Sequence, residues 1–225
     1  MSFYDTLLFT VFPYLCLTVF VLGHGYRYVT DRYGWNARSS EFLEKDALRY
    51  GSVLFHVGIL LTLAGHTGGL LIPQYVFDRV GIDSKAHLTV AYWSGLGVGI
   101  AAFIGSLLLL WRRIGDQRVK AAGTANDLAT LGGLVIVVGL GLYNVLFGHF
   151  NVLDTVAPWI RGILIFRPDA ALMQTVPLSY KIHVLSALAL LAFSPFSRLV
   201  HIWSAPIFYF FRSPIVFRRK PGWSR

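Results

Sequence analysis

The sequence predicts an all-α membrane protein, a bundle of five transmembrane helices with its N-terminus outside and its C-terminus in the cytoplasm. Three observations predict it. The chain is apolar throughout: of 225 residues, 55% are hydrophobic and only 14% charged, with a mean hydropathy of +0.59. That is more apolar surface than a water-soluble domain can hide. The apolar residues gather into five runs, about 7–26, 52–72, 88–111, 128–147 and 182–204. Each comes close to the ~20 residues that a helix needs to cross the hydrocarbon core. Third, all eleven Asp and Glu residues fall in loops or at the boundaries of these runs. The runs are continuous, without the period-two alternation of a β-barrel.

Taken in order, the first run follows Met1-Ser2-Phe3-Tyr4-Asp5, which has no Lys or Arg. A cleaved signal would carry a basic leader and a small-residue cleavage site, so this run is expected to be a retained helix. Orientation comes from the cations. Arg27–Arg49 holds five Lys/Arg, Arg112–Lys120 four and Arg198–Arg225 six; the other side has Arg79, Lys85, Arg161, Arg167 and Lys181. Fifteen against five places the first group in the cytoplasm. The net charge of +9 therefore reports orientation in a cytoplasmic (inner) membrane and not nucleic-acid binding.

Residues 1–225 form a single integral-membrane domain without repeats. The loop Thr30–Tyr50 mixes charges and suits docking, and Ser39-Ser40-Glu41-Phe42 is a helix-start signal. In the longest connection, Asp154–Phe166 carries Trp159, Ile160, Ile163 and Phe166 around Arg161, so part of it is expected to lie flat at the interface. Trp93, Trp111, Trp159 and Trp203 sit near predicted helix ends, as an aromatic belt does. The tail Arg212–Arg225 is basic and broken by Pro214 and Pro221. Cys16 is the single cysteine and reads as a small buried hydrophobe. It allows no intrachain disulfide and no iron–sulfur cluster.

Four histidines sit inside the apolar runs: His56 and His66 in the second, His183 and His201 in the fifth. An ionisable residue at membrane depth is costly and normally faces the bundle interior at a functional site. His56 and His66 are separated by a rise of ~15 Å and ~80° around a helix axis, whereas His183 and His201 would share one face with a rise of ~27 Å. The second and fifth helices run in opposite directions. Antiparallel packing therefore pairs His56 with His201 near the cytoplasm, and His66 with His183 near the outer face. Two facing imidazole pairs can ligate two haem irons. Since C-x-x-C-H is absent, the haem is held non-covalently, as in a b-type cytochrome. The unequal rises do not match an ideal bundle; tilt and a kink at Pro195 can absorb part of the difference. His24, His87 and His149 are read as interfacial residues.

Gly58, Gly65, Gly68 and Gly69 flank the second-helix pair. They suit either a porphyrin plate or ordinary small-residue helix packing. Arg198 is placed to pair with anionic propionates of the inner haem, with Arg112 and Arg113 as helpers, or to snorkel to headgroups. Lys85, with Arg79, occupies the outer loop after His66 and can polarise a quinol oxygen or be solvated. No side chain need act as a covalent catalyst. A metal transporter would add intramembrane carboxylates, which these runs lack.

The stretches Leu54-Phe55-His56-Val57-Gly58-Ile59-Leu60 with Gly65-His66, and Phe196-Ser197-Arg198-Leu199-Val200-His201-Ile202-Trp203, resemble the gamma subunit of respiratory nitrate reductase. Arg27-Tyr28, Ser39-Ser40 and Tyr180-Lys181-Ile182-His183 are similar to it as well. The resemblance implies a membrane cytochrome b with two haem b groups, His56/His201 ligating the inner and His66/His183 the outer. It also implies a quinol site at Lys85 and His66, the lysine matching across a one-residue gap after Pro73. As part of a quinone-linked nitrate reductase, such a subunit oxidises quinol near the outer face. It passes electrons through both haems to an iron–sulfur subunit and a cytoplasmic molybdenum subunit that reduces nitrate. The alternatives are the same module in a formate dehydrogenase or hydrogenase, or a haem-free transporter or anchor.

Overall fold

The computed structural model of the chain describes residues 2–31 and 43–203. The Ser39–Phe42 signal and the tail from Arg212 lie outside the described residues. Among the described residues, five helices are long and apolar enough to cross a membrane: Phe3–Thr30, Asp46–Leu71, Ser84–Gly115, Ala125–Gly148 and Leu178–Phe196. The chain is thus a multi-pass, all-α membrane protein. Each span is called here by its ordinal.

Local chemistry sets where the spans begin. Ser2 and Asp5 form a capping box at the first, and Thr124 and Asp127 form another at the fourth. The Asp83 carboxylate accepts the Ala86 N–H at the third. These side chains satisfy amide donors that have no partner in the first helical turn. The fourth span stops where His149 turns left-handed, at φ 41°. Wide π turns widen three spans, at Leu7–Val11, Thr67–Leu71 and Asn144–Gly148. Because successive spans alternate in direction, all three lie at one end of the bundle, the end that carries His66. Such turns recur at functional sites.

The second span packs chiefly on the third, the third on the fourth, the fourth on the fifth and the fifth on the first. The closest approach is glycine-mediated. A Cβ on Gly58 would overlap the Ala102 backbone, and one on Gly105 would overlap the Phe55 backbone. Gly58 is therefore a helix-packing residue of the second and third spans, which decides between its two sequence readings. Outward faces stay apolar: Val57, Leu60 and Leu61 are exposed, as hydrocarbon solvent permits.

The connection after the fourth span folds back as a short helix, Val156–Leu164, that buries Val156, Trp159 and Ile163 against Phe9, Met173 and Val176. The Trp159 indole N–H donates to the Phe9 carbonyl at 2.8 Å. Trp159 is thus a core residue and not part of an aromatic belt. Its amphipathic pattern is satisfied by protein, which offers the indole a carbonyl that hydrocarbon cannot. Trp93, Trp111 and Trp203 are exposed, and Cys16 is buried.

The fifth span corrects the sequence expectation most sharply. A continuous helix over 182–204 is not formed. The α-helix runs Leu178–Phe193, tightens to a 3₁₀ turn at Ser194–Phe196, and breaks at Ser197, whose backbone is extended. A second 3₁₀ turn, Arg198–Ile202, carries His201. The cause is Pro195, which has no N–H to donate and clashes with the preceding turn. Ser194 and Ser197 then bond locally, to the Leu191 carbonyl and the Leu199 N–H. His183 and His201 accordingly do not share a helical face, and the ~27 Å rise expected of a straight helix does not apply.

Candidate functional site

The sequence-predicted histidines come together in two pairs across the line where the second and fifth spans face each other. The His56 and His201 ring centroids are 6.0 Å apart with planes at 65°; those of His66 and His183 are 6.3 Å apart at 43°. The meeting groups here are imidazoles, while the second span takes its close backbone packing from the third.

Every one of the four rings is anchored through Nδ1 to a backbone carbonyl. His56 reaches Ser52 O at 2.7 Å and His66 reaches Thr62 O at 2.8 Å, each one turn back in its own helix. His183 bonds Val137 O of the fourth span at 3.0 Å, and His201 bonds Arg198 O at 2.6 Å within its 3₁₀ turn. A carbonyl only accepts, so each Nδ1 carries the proton and donates it. Each neutral imidazole therefore presents a lone pair on Nε2, the tautomer that a metal ligand requires.

The spacing suits one metal per pair. With metal–imidazole bonds of about 2 Å, two rings on opposite sides of one ion have centroids about 6 Å apart. Among the described residues, no group of three or more His, Cys, Asp or Glu could hold a metal ion. Each pair could supply two nitrogens to a metal, and a macrocycle would have to fill the remaining positions. The donor set and its tautomers fit a bis-imidazole haem.

At the His201 end, the helix break is clamped from two sides. The Arg27 guanidinium donates to Pro195 O at 2.8 Å, His24 Nε2 meets Ser194 Oγ at 3.3 Å, and Gly23 leaves room for the Pro195 ring. From the fourth span, the Asn126 amide donates to Phe196 O. Asp127 sits between Arg113 and Arg198, at 3.5 and 3.6 Å. Arg198 is thus held in an ion pair rather than left to snorkel. Arg112 and Arg113 are both buried.

Arg112 also pairs with Glu44 at 2.6 Å. The Ala47 N–H and then the Arg112 guanidinium hold the Glu44 carboxyl below the usual carboxylate range, against burial, which raises it. A depressed folded-state pKa stabilises above the unfolded value, and that stabilisation is lost as pH falls through the folded value. The thermal-stability deficit of Glu44→Gln is expected at pH 7, should begin to shrink as pH falls to about 4, and should vanish only below the lowered folded-state value. A deficit that persists unchanged into acid would refute this pairing.

At the opposite end, the glycines divide by role. A Cβ on Gly65 or Gly68 would meet nothing within 4 Å, whereas Gly141 lies under His183 Cε1, 3.0 Å from where its Cβ would sit. Arg161 of the short helix donates to Leu70 O at 2.8 Å and ties down the π turn after His66. Both amide atoms of buried Asn144, one turn beyond Gly141, have no partner among the described residues. Lys85 is exposed on the first turn of the third span. The structure does not bring its side chain into contact with His66.

Three histidines were read as interfacial. His149 is exposed and His24 is half-buried against Ser194, Phe20 and Trp203. His87 departs from that expectation: it is only 8% exposed, bonds Gln74 through Nδ1 at 2.8 Å and lies 4.3 Å from the Phe77 ring. Sequence reasoning missed it because its partners Gln74 and Phe77 come from a short helix, Gln74–Asp78, in the connection before the third span, where hydropathy carries no signal.

Known proteins place this geometry. The family model described as "Nitrate reductase gamma subunit" matches residues 5–220. The chain is 41% identical over 218 residues to the nitrate reductase gamma chain of Bacillus subtilis, covering 95% of this chain and 98% of that one. It is 34% identical over 215 residues to the respiratory nitrate reductase 2 gamma chain of Escherichia coli, covering 93% and 92%. It is also 40% identical over 220 residues to a nitrate reductase-like protein of Mycobacterium tuberculosis, where the match takes up 95% of this chain and 34% of the relative. With five candidate spans, two facing pairs of histidines and a family match over nearly its whole length, the chain belongs to the nitrate reductase gamma subunit family.

Proposed function

We propose that this chain is the quinol-oxidising, di-haem membrane subunit of a respiratory nitrate reductase. The observation that carries it is the set of four imidazoles, each fixed through Nδ1–H to a carbonyl and facing one another in two pairs. His56 and His201 would hold an inner haem b, and His66 and His183 an outer one. When bound, these groups supply one-electron transfer between the two faces of the membrane. Arg198, kept in place by Asp127, offers positive charge to the anionic edge of the inner group.

Family membership favours docking of an iron–sulfur electron-transfer subunit and a molybdenum catalytic subunit. The cation asymmetry favours an N-terminus outside, with those partners on the basic cytoplasmic face of the inner membrane. Quinol would bind at the His66 end and give up two electrons toward the partners and two protons to the outside. Lys85, an ammonium on a flexible arm at the exposed start of the third span, can reach a quinol oxygen and polarise it. The rest of the chain positions groups and excludes water.

The direct test is haem counted per polypeptide, with a reduced-minus-oxidised spectrum of the purified protein. Two b-type haems are expected; a colourless chain ends the proposal. Lys85→Ala should slow quinol oxidation by about tenfold or more, the effect of losing a charge-assisted hydrogen bond, with haem content unchanged. Normal quinol kinetics in that variant would move the site away from Lys85.

A further inference from the structure

We propose that His87 is the residue that takes the hydrogen bond, and with it the first proton, from a dihydroxy-aromatic substrate at the His66 end of the bundle. This rests on the quinol-oxidising role proposed above.

The Gln74 amide fixes the chemistry of the ring. Gln74 Nε2 spends both hydrogens, on Asp78 Oδ1 at 2.9 Å and on Ile82 O at 3.0 Å. Its Oε1 is left to accept, and it faces His87 Nδ1 at 2.8 Å. Nδ1 is therefore the protonated nitrogen, and Nε2 holds the lone pair. Among the described residues Nε2 has no hydrogen-bond partner, although the side chain is more than nine-tenths buried. Nε2 itself is not enclosed, unlike the two unpartnered amide atoms of Asn144, so an incoming hydroxyl can reach it, and an imine nitrogen without a donor is free to accept one.

The direction of that nitrogen names the place. It points at Gly69, where an added Cβ would stand 3.5 Å from Nε2. Gly69 is three residues past His66, in the π turn that Arg161 holds by its bond to Leu70 O. Gly65 and Gly68 carry no side chain into the adjoining space. Gly65, Gly68 and Gly69 thus leave a surface free of side chains around the turn after His66, with the His87 nitrogen beside Gly69. A planar aromatic diol fits such a surface, its face on glycine and one hydroxyl toward His87.

Lys85 cannot fill this role from the same face. Two residues apart on a helix, Lys85 and His87 point about 200° away from each other. The other charged groups around the loop are Arg79, Asp78, which is engaged by Gln74, and Asp83, which caps the third span. None of them bonds His87 through its side chain among the described residues.

In the step proposed, a quinol O–H bond breaks and an N–H bond forms at His87 Nε2. The quinol's two electrons go to the one-electron iron acceptors of the proposed function, its second proton goes to water, and quinone leaves. The imidazolium returns its proton to water at the exposed edge of the loop.

The test compares His87→Asn with His87→Gln in the full-length, haem-loaded protein. Asparagine keeps a donor to Gln74 and lacks the distal nitrogen; glutamine reaches further but takes no proton at working pH. Binding is read by tryptophan quenching with two redox-inert probes, the monomethyl and dimethyl ethers of a naphthohydroquinone. Wild type should bind the monomethyl ether about tenfold more tightly than the dimethyl ether, an advantage that His87→Asn loses. Quinol-driven haem reduction in both variants should fall at least tenfold and be partly restored by added imidazole. If both variants keep the wild-type rate and probe preference while Lys85→Ala is impaired, His87 has no such role and the quinol site stands. If neither these variants nor Lys85→Ala affects quinol oxidation, the site itself lies elsewhere and both proposals fall.

Discussion

With two haems bound as proposed, His183→Ala is expected to lower the haem b content from two per chain to one and to abolish reduction of the remaining haem by quinol. The ring it removes is the one of the four anchored across spans, to Val137 O of the fourth, so no neighbour on its own helix can replace it. Its partner, His66, would keep its tautomer through Thr62 O but would be left as a single ligand. Losing even a group that only orients a ligand costs about 10- to 100-fold in metal affinity, and losing the ligand itself costs more. His201→Ala should remove the other haem, leaving the first reducible by quinol. His149→Ala, at an exposed residue beyond the fourth span, should leave both. Haem extracted per polypeptide and the difference spectrum of membranes read all three. Two haems and normal turnover in His183→Ala would overturn the assignment.

Gly58→Val is expected to prevent assembly of the bundle. A Cβ at Gly58 overlaps the Ala102 nitrogen, which is backbone, and no rotamer change relieves it. Gly105 stands in the same relation to Phe55 N, so the second and third spans touch through backbone at two levels. Overpacking a core commonly costs 1–3 kcal/mol, and forcing two helices apart along a contact surface places this variant at about 3 kcal/mol or more. The displacement would also carry Phe55 and the adjacent His56 away from His201. Gly25→Ala is the control, since a Cβ there meets nothing within 4 Å, and it should be within about 0.5 kcal/mol of wild type. The monodisperse fraction in detergent and the melting temperature measure both. A Gly58→Val protein with wild-type yield and melting temperature would show that the interhelical contact is looser than described.

The candidate site was legible where its geometry follows from topology. Spans of alternating direction dictate that the early histidine of the second faces the late one of the fifth, and the ring contacts have that pairing. What was illegible is how His201 gets there. Hydropathy scores Ser194–Trp203 as a continuation of the helix, because Pro195 and Ser197 act through hydrogen bonds that a transfer scale does not count. The break resolves the mismatch in rise that a straight helix leaves. His87 and Trp159 show the same limit from the other side. Their burial is decided by partners that reach them only after folding, Gln74 and Phe77 for His87, and Phe9, Met173 and Val176 for Trp159.

The sequence by itself determined the number of crossings, the apolar faces and the residue types able to bind a metal, because each follows from the cost of placing a group in hydrocarbon. Only the tertiary structure decided which nitrogen of each imidazole is free. That depends on which carbonyl stands within about 3 Å of the other nitrogen, and for His183 and His201 the carbonyl comes from a neighbouring span or a broken helix end.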